Sequence, residues 1–236
     1  CNHYADMILD NVTFKANCKC LFALYYYDPS YYLSGGYFDP SYEISVTNCK
    51  FIDCKFSDSC GGAFYFDTDT PYPITFENNC FYNCESVGSL IYINDLWKVA
   101  RSETNHVKFN MTGNKFYGCK NSYGCIYINV PYIDIGDLDN KAKNSIDSCV
   151  ATVYGGAIYD NDGCGYGTIK GFVCTNNKSV EYGGAMYLSA DKRTVEDCVF
   201  VGNECGSGYY GGAIYLVRDT LEQVIAQLDA LQMQNM

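Results

Sequence analysis

Fifteen cysteines among 236 residues are the first side chains whose type suggests chemistry. Thiols ligate metals, close disulfides or act as nucleophiles. Zinc asks for Cys-x2-Cys pairs at tetrahedral spacing. The close pairs here are Cys18/Cys20, Cys49/Cys54 and Cys80/Cys84, and only two histidines, His3 and His106, stand by to complete a site. That spacing fits zinc poorly. A cysteine content this high points to an oxidising compartment instead, and the odd count leaves at least one thiol free or paired outside the chain. Three sequons agree with secretion, Asn11-Val12-Thr13, Asn110-Met111-Thr112 and Asn177-Lys178-Ser179, making Asn11, Asn110 and Asn177 glycosylation candidates. The chain opens on Cys1 with no signal peptide in view, which reads as a mature product or a piece of something longer.

Carboxylates gather at Asp134, Asp137 and Asp139, and at Asp160 and Asp162 before Gly163. Calcium takes six to eight oxygens, so an Asp-x-Asp-Gly stretch is thin support and solvated turns explain it as well. Glycoside cleavage needs two carboxylates at a defined separation on a groove; the sequence shows no Asp, His, Arg or Lys cluster of that kind. His3 and His106 sit in poor contexts for a dyad, and no Ser/His/Asp arrangement, P-loop or nucleotide fingerprint is present. No cofactor is expected. Lys+Arg 16 against Asp+Glu 27 gives a net charge of −11, which repels nucleic acid and anionic membrane surfaces alike. No stretch approaches the roughly 20 apolar residues that cross a bilayer.

These residues are set in a repeat. Tyr154-Gly155-Gly156-Ala157-Ile158-Tyr159, Tyr182-Gly183-Gly184-Ala185-Met186-Tyr187 and Tyr210-Gly211-Gly212-Ala213-Ile214-Tyr215 are close copies, and Cys60-Gly61-Gly62-Ala63-Phe64-Tyr65 is a fourth. Weaker copies end at Tyr92 and Tyr127, and the last intervals are about 28 residues. A second tag precedes them: Phe-x-x-Asn at Phe14…Asn17 and Phe200…Asn203, and Phe-x-x-Cys at Phe51…Cys54, Phe81…Cys84 and Phe116…Cys119. Segments such as Ile44-Ser45-Val46, Ile74-Thr75-Phe76 and Val107-Lys108-Phe109 alternate as short strands do. Asn, Asp, Gly and Ser clusters between them are turn chemistry. One unit therefore holds two or three short strands, with Ala and Tyr of the tag on one face and Ile on the other, or the reverse. No unit buries its apolar face alone, so the copies must stack. Paired glycines would supply positive φ or close backbone approach at a corner, and the Asn after Phe, as at Asn17 and Asn203, would turn inward and hydrogen-bond its equivalents along the stack. The expected fold is all-β: a right-handed single-stranded parallel β-helix of about seven coils over 1–217, with a C-terminal α-helix.

The paired Phe-x-x-Asn and Gly-Gly-Ala-Ile tags resemble the repeats of chlamydial polymorphic membrane proteins and similar surface proteins of protists, over approximately residues 11–216. The resemblance implies a β-helical adhesin. This chain departs from the pattern in its richness in Cys and Tyr and in the replacement of several Asn by Cys.

On such a stack Cys54, Cys84 and Cys119 form one column. In-register side chains point in parallel, so a column of packed thiols and disulfides both remain open, with an offset pair such as Cys49 and Cys80 closing more easily. Insertions at about 26–43 and 93–106 leave the stack as loops. The first carries Tyr26, Tyr27, Tyr31 and Tyr32, a contact surface or a self-packed loop; the second carries Trp97, a loop anchor or a sugar platform. Residues 218–236 show a capping-box look at Asp219-Thr220-Leu221-Glu222 and apolar Leu221, Val224, Ile225, Leu228 and Leu231 at helical spacing. That helix would cap the open end of the stack or join a neighbouring subunit. The expected function is a non-enzymatic extracellular structural or adhesive β-helix, an adhesin stalk or a subunit of a surface appendage or filament. Its expected partners are other protein subunits, in a homo-oligomer or filament, or cell-surface glycans, with no nucleic acid and no membrane insertion. The alternatives are a β-helical carbohydrate-active enzyme and a glycan-binding module.

Overall fold

The computed structural model describes residues 7–24, 44–67, 74–94, 107–161, 165–189 and 192–217. They form 28 strands and, among the described residues, no helix. The strands fall into four sheets of seven, and every pairing is parallel. The chain visits the four sheets in order and then repeats: Ile44–Thr47, Lys50–Ile52, Lys55–Phe56 and Gly61–Asp67 make one coil, and Ile74–Glu77, Cys80–Tyr82, Glu85–Ser86 and Ser89–Asn94 make the next. Each strand pairs with its equivalents in the coils before and after, so the protein is a seven-coil parallel β solenoid. A coil carries four strands rather than the expected two or three, because the shortest, in the third sheet, are down to two residues and carry no readable alternation.

Local chemistry sets the corners. Between the first and second sheets stand Asn11, Asn48, Asn78, Gly113, Gly171 and Asp197, all with φ of 50–69°. Between the second and third stand Asp53, Asn83, Gly118, Ser148, Asn176 and Gly202, with φ of 51–64°. Asn, Asp and Gly tolerate this left-handed conformation best, which is why one turn residue recurs at each corner. The paired glycines serve the corner before the fourth sheet. Gly155 has φ of 58°, and a Cβ on Gly156 would stand 2.2 Å from the Gly184 carbonyl oxygen. The first glycine supplies the backbone angle and the second the close approach.

Columns of like residues fill the interior. Phe14, Phe51, Phe81 and Phe116 stack with ring centroids 5.0, 4.4 and 4.6 Å apart. Phe22 and Phe64 begin a facing column that continues with Ile91, Ile126, Ile158, Met186 and Ile214. Two ladders of Asn, buried except for the half-buried Asn203, line the corners on either side of the second sheet. In the first, Asn79 Nδ2 donates to Asn114 Oδ1 at 3.0 Å and Asn114 Nδ2 to Asn144 Oδ1 at 2.9 Å. The Asn114 backbone N–H donates to the same Asn144 oxygen. In the second, Asn177 Nδ2 donates to Asn203 Oδ1 at 3.0 Å. Each amide thus meets its polar groups within the stack, as burial requires.

Three expectations are corrected here. Both Ala and Ile of the tag face the core, with Ala63, Ala157 and Ala185 fully buried, while the following Tyr stands on the other face of the strand, outside the core cluster even where it is buried, as at Tyr65 and Tyr159. A register shift at this corner, seen between Ser89 and Ile91, breaks the simple alternation. Asn17 is not in a ladder: it is exposed and pairs with Lys55, while Ala16 accepts the Lys55 N–H beside Cys54, because the first coil is one residue shorter at that corner. Ile93 and Asn94 belong to a fourth-sheet strand rather than to an insertion. The chain around both expected insertions, 26–43 and 93–106, passes from a fourth-sheet strand to the first-sheet strand of the next coil. Residues 25–43, 95–106 and the helix expected at 218–236 lie outside the described residues.

Candidate functional site

The structure sorts the expected site residues. Cys54, Cys84 and Cys119 do form one buried column: Glu85 N donates to Cys54 O and Lys120 N to Cys84 O. Cys149 extends it, since Val150 N donates to Cys119 O. All thirteen described cysteines carry free thiols. Cys49 and Cys80 are not placed to pair. Cys49 lies in the core beside Asn79, whereas Cys80 stands on the outer face in register with Lys50 and Lys115. A one-residue offset on a strand turns the side chain to the opposite face. Asn177 is fully buried and both its amide hydrogens are engaged, by Ile146 O and Asn203 Oδ1, so the folded chain offers no acceptor there. Asn11 is exposed, and half-buried Asn110 donates to Asp139 at 2.8 Å. Tyr26, Tyr27, Tyr31, Tyr32, Trp97, His3, His106 and Asp162 lie outside the described residues.

An array of tyrosines runs along the outer side of the fourth sheet, with Tyr65 and Tyr159 buried in it and Tyr92, Tyr127, Tyr187 and Tyr215 half-buried. The tag's closing Tyr forms an outward column, Tyr65, Tyr92, Tyr127, Tyr159, Tyr187 and Tyr215, in register through six coils. Neighbouring ring centroids are 4.4–5.5 Å apart. The tag's opening Tyr forms a second column, Tyr123, Tyr154, Tyr182 and Tyr210, which locks into the first along diagonals. Tyr182 stacks on Tyr215 at 4.4 Å and Tyr154 meets Tyr187 at 4.7 Å. An amide fringe holds the hydroxyls: Asn94 Nδ2 donates to Tyr65 Oη, Asn161 Nδ2 to Tyr127 Oη, and Tyr159 Oη to Asn161. Burial pushes the phenols of Tyr92, Tyr127 and Tyr159 above the ordinary tyrosine value. Because the rings spend their faces on one another, the surface presents phenol edges and hydroxyls. The array opens at the last coil, where Tyr210 is 69% exposed and Tyr209 39%.

Carboxylates are dispersed. Asp160 is buried and held by Arg193, Nε to Oδ2 at 2.7 Å and Nη2 to Oδ1 at 3.3 Å. Arg193 also donates to the carbonyls of Val130, Ile133 and Tyr166. Asp137 is buried and accepts the Lys141 backbone N–H. A shallow groove of about 490 Å³ on the first sheet collects Lys108, Asp134, Asp139, Lys170 and Glu196. Asp134 accepts the Thr168 N–H there. Hydrogen bonds from Asn110 and Lys141 lower the Asp139 carboxyl, the opposite of what a general acid needs. Among the described residues no group of three or more His, Cys, Asp or Glu is arranged to hold a metal ion.

Comparison with protein-family models, curated proteins and solved structures returned no match. The sequence reading missed the tyrosine face, although the tag spelled it: a Tyr at each end of a six-residue unit, repeated in register. It missed Cys149 as a member of the thiol column and Asn177 as a member of the ladder, because Ile146 and Cys174 stand where the tag Phe was sought. Nothing in the sequence pairs Asp160 with Arg193.

Proposed function

We propose that this chain is a non-enzymatic, extracellular structural or adhesive solenoid, a stalk or a subunit of a surface appendage, with the two-column tyrosine face as its contact surface. The observation that carries this reading is the continuity of that face across six coils. Tyr combines a large apolar ring with a hydroxyl, which suits surfaces that must stay soluble yet bind. A face of ring edges and hydroxyls, with few open ring planes, suits a protein surface better than a stacked sugar. The repeat tags' resemblance to polymorphic membrane protein repeats supports the adhesive reading, and the cysteine content supports the extracellular one. Right-handed winding, the sense of nearly all parallel crossover connections, and a helical cap over 218–236 belong to the same proposal.

The test images the purified full chain and measures attachment of chain-coated beads to cell surfaces. Filaments or attached rods, reduced when Tyr127 and Tyr187 are changed to Ser, support the reading. Turnover of polygalacturonate or another acidic glycan, abolished by one Asp substitution in the first-sheet groove, overturns it in favour of the carbohydrate-active alternative.

A further inference from the structure

Of the three sequons, Asn11 stands in the open and Asn177 is consumed by a ladder, whereas Asn110 is set in the first-sheet groove. That groove, of about 490 Å³, runs along the outer side of the sheet from Thr75 past Asn110 to Lys170 and Glu196. Register sets its floor. Asn110 pairs with Thr75 in the coil before and with Gly136 in the coil after, and Gly136 pairs with Lys170. Outward side chains of one column ordinarily follow one another at about 4.8 Å. Gly136 leaves its place in the column bare, because its φ of 120° and its approach to the Lys170 carbonyl exclude a side chain.

The walls differ in origin. On one side stands the column Lys108, Asp134 and Thr168. On the other, the corner between the first and second sheets, elsewhere turned at one left-handed residue, extends over residues 137–143. Buried Asp137 holds that corner by accepting the Lys141 backbone N–H at 2.8 Å, and Leu138 and Asp139 line the groove from it. Asn110 is fixed against this wall: its Nδ2 donates to Asp139 Oδ2 at 2.8 Å, and Thr112 Oγ1 donates to its Oδ1 at 3.4 Å. A side-chain amide nitrogen carries two hydrogens, and Asp139 takes one. Among the described residues Lys108 and Lys170 form no ion pair, so both ammonium groups are available to oxygen acceptors in the groove.

We propose, on the secreted reading above, that Asn110 carries an N-linked oligosaccharide whose first sugars lie in this groove, over Gly136 and towards Lys170. The donor is a lipid pyrophosphate-linked oligosaccharide, delivered by a transferase of the secretory pathway. The Asn110 amide nitrogen attacks the anomeric carbon; a C–N bond forms, the C–O bond to pyrophosphate breaks, one amide hydrogen leaves as a proton and the lipid pyrophosphate departs. The second amide hydrogen stays for Asp139. Met111 and Thr112 are 0% and 4% exposed in the finished fold, so the triplet is modified before these coils stack. The sugar then settles as the groove forms around it, its oxygens accepting charge-assisted hydrogen bonds from the lysines.

The test expresses the full chain through a eukaryotic secretory pathway, maps glycopeptides, and follows glycan release by peptide N-glycosidase from native and denatured protein. Sugar is expected on Asn110 as well as on Asn11. Native protein should lose the Asn11 glycan and retain the Asn110 glycan, and denatured protein should lose both. Lys170→Ala should speed native release at Asn110 and leave Asn11 unchanged; no change at Asn110 overturns the berth. Native release at Asn110 as fast as at Asn11 overturns it too. A bare Asn110 beside a glycosylated Asn11 overturns the proposal and leaves the secreted reading standing, whereas bare asparagines at both sites overturn the two together. If Lys170→Ala fails to fold, the native and denatured parent decide alone.

Discussion

Asn114 and Asn121 are the same residue type, both buried, and changing each to Ala should move stability in different ways. Asn114 is fully buried and sits mid-ladder. Its Oδ1 accepts from the Asn79 backbone N–H and from Asn79 Nδ2, both at 3.0 Å, and its Nδ2 donates to Phe76 O at 2.9 Å and to Asn144 Oδ1 at 2.9 Å. After Asn114→Ala, Asn79 Nδ2 keeps Val46 O, and Asn144 Oδ1 keeps the backbone N–H of residue 114. The Asn79 N–H and the Phe76 carbonyl lose these partners. The Asn79 N–H is left unpaired at about 1–3 kcal/mol, and the Phe76 carbonyl, which lies in a paired strand, loses one bond worth about 1 kcal/mol, so the two together cost about 3 kcal/mol. Asn114→Cys should cost less, because sulfur already accepts a backbone N–H in this column, from Phe172 to Cys198 at 3.4 Å. At Asn121, by contrast, Oδ1 has no partner to lose, and the next residue in its column is Ala151. Asn121→Ala is expected within about 1 kcal/mol of the parent, on either side. Urea unfolding followed by circular dichroism, with midpoints converted through a common slope, reads both changes. If the two variants differ by less than about 1 kcal/mol, the claim that ladder hydrogen bonds hold the coils together is wrong.

Three other outcomes are expected. Arg193→Met takes the guanidinium away from the buried Asp160 carboxylate and should cost about 3–5 kcal/mol, whereas Arg193→Met with Asp160→Leu should recover most of it; equal losses in both would refute the pairing argument. The raised phenols of Tyr92, Tyr127 and Tyr159 mean that the native state holds more protons than the unfolded chain above the ordinary tyrosine value of about 10. Their stabilisation is therefore complete below about pH 10 and is lost as pH rises through the folded values. Phenolate absorbance and Tm recorded together should show the phenolates appearing with unfolding; early, ordinary titration of these rings would contradict the packing. Expression through a eukaryotic secretory pathway should give glycopeptides at exposed Asn11 and none at Asn177, whose amide is consumed by the ladder; a glycan on Asn177 in folded material would refute that placement.

The stacked architecture was legible in the sequence because it rests on short-range patterns. Gly155-Gly156 and its copies mark a corner, and Phe51, Phe81 and Phe116 mark an inward column, at a period any reader of the chain can find. Alternation alone identified strands such as Ile74–Glu77, whereas the two-residue third-sheet strands were too short to show it. Cys54, Cys84 and Cys119 were correctly assigned to one column, since a fixed distance from the tag Phe becomes a fixed place on a coil. Register at the irregular coils was not legible. One missing corner residue moves Asn17 out of the ladder, and the shift before the fourth sheet turns Ala inward with Ile.

Composition and tag spacing by themselves determined that this chain stacks repeats and faces water with a net negative charge. Its tertiary structure alone decided which side chains meet: Tyr182 on Tyr215, Arg193 on Asp160, and Asn121 on Cys125. The physical reason is one of range. Turn chemistry and strand alternation act within a few residues, but contacts across coils and corners depend on the register that every intervening turn has set.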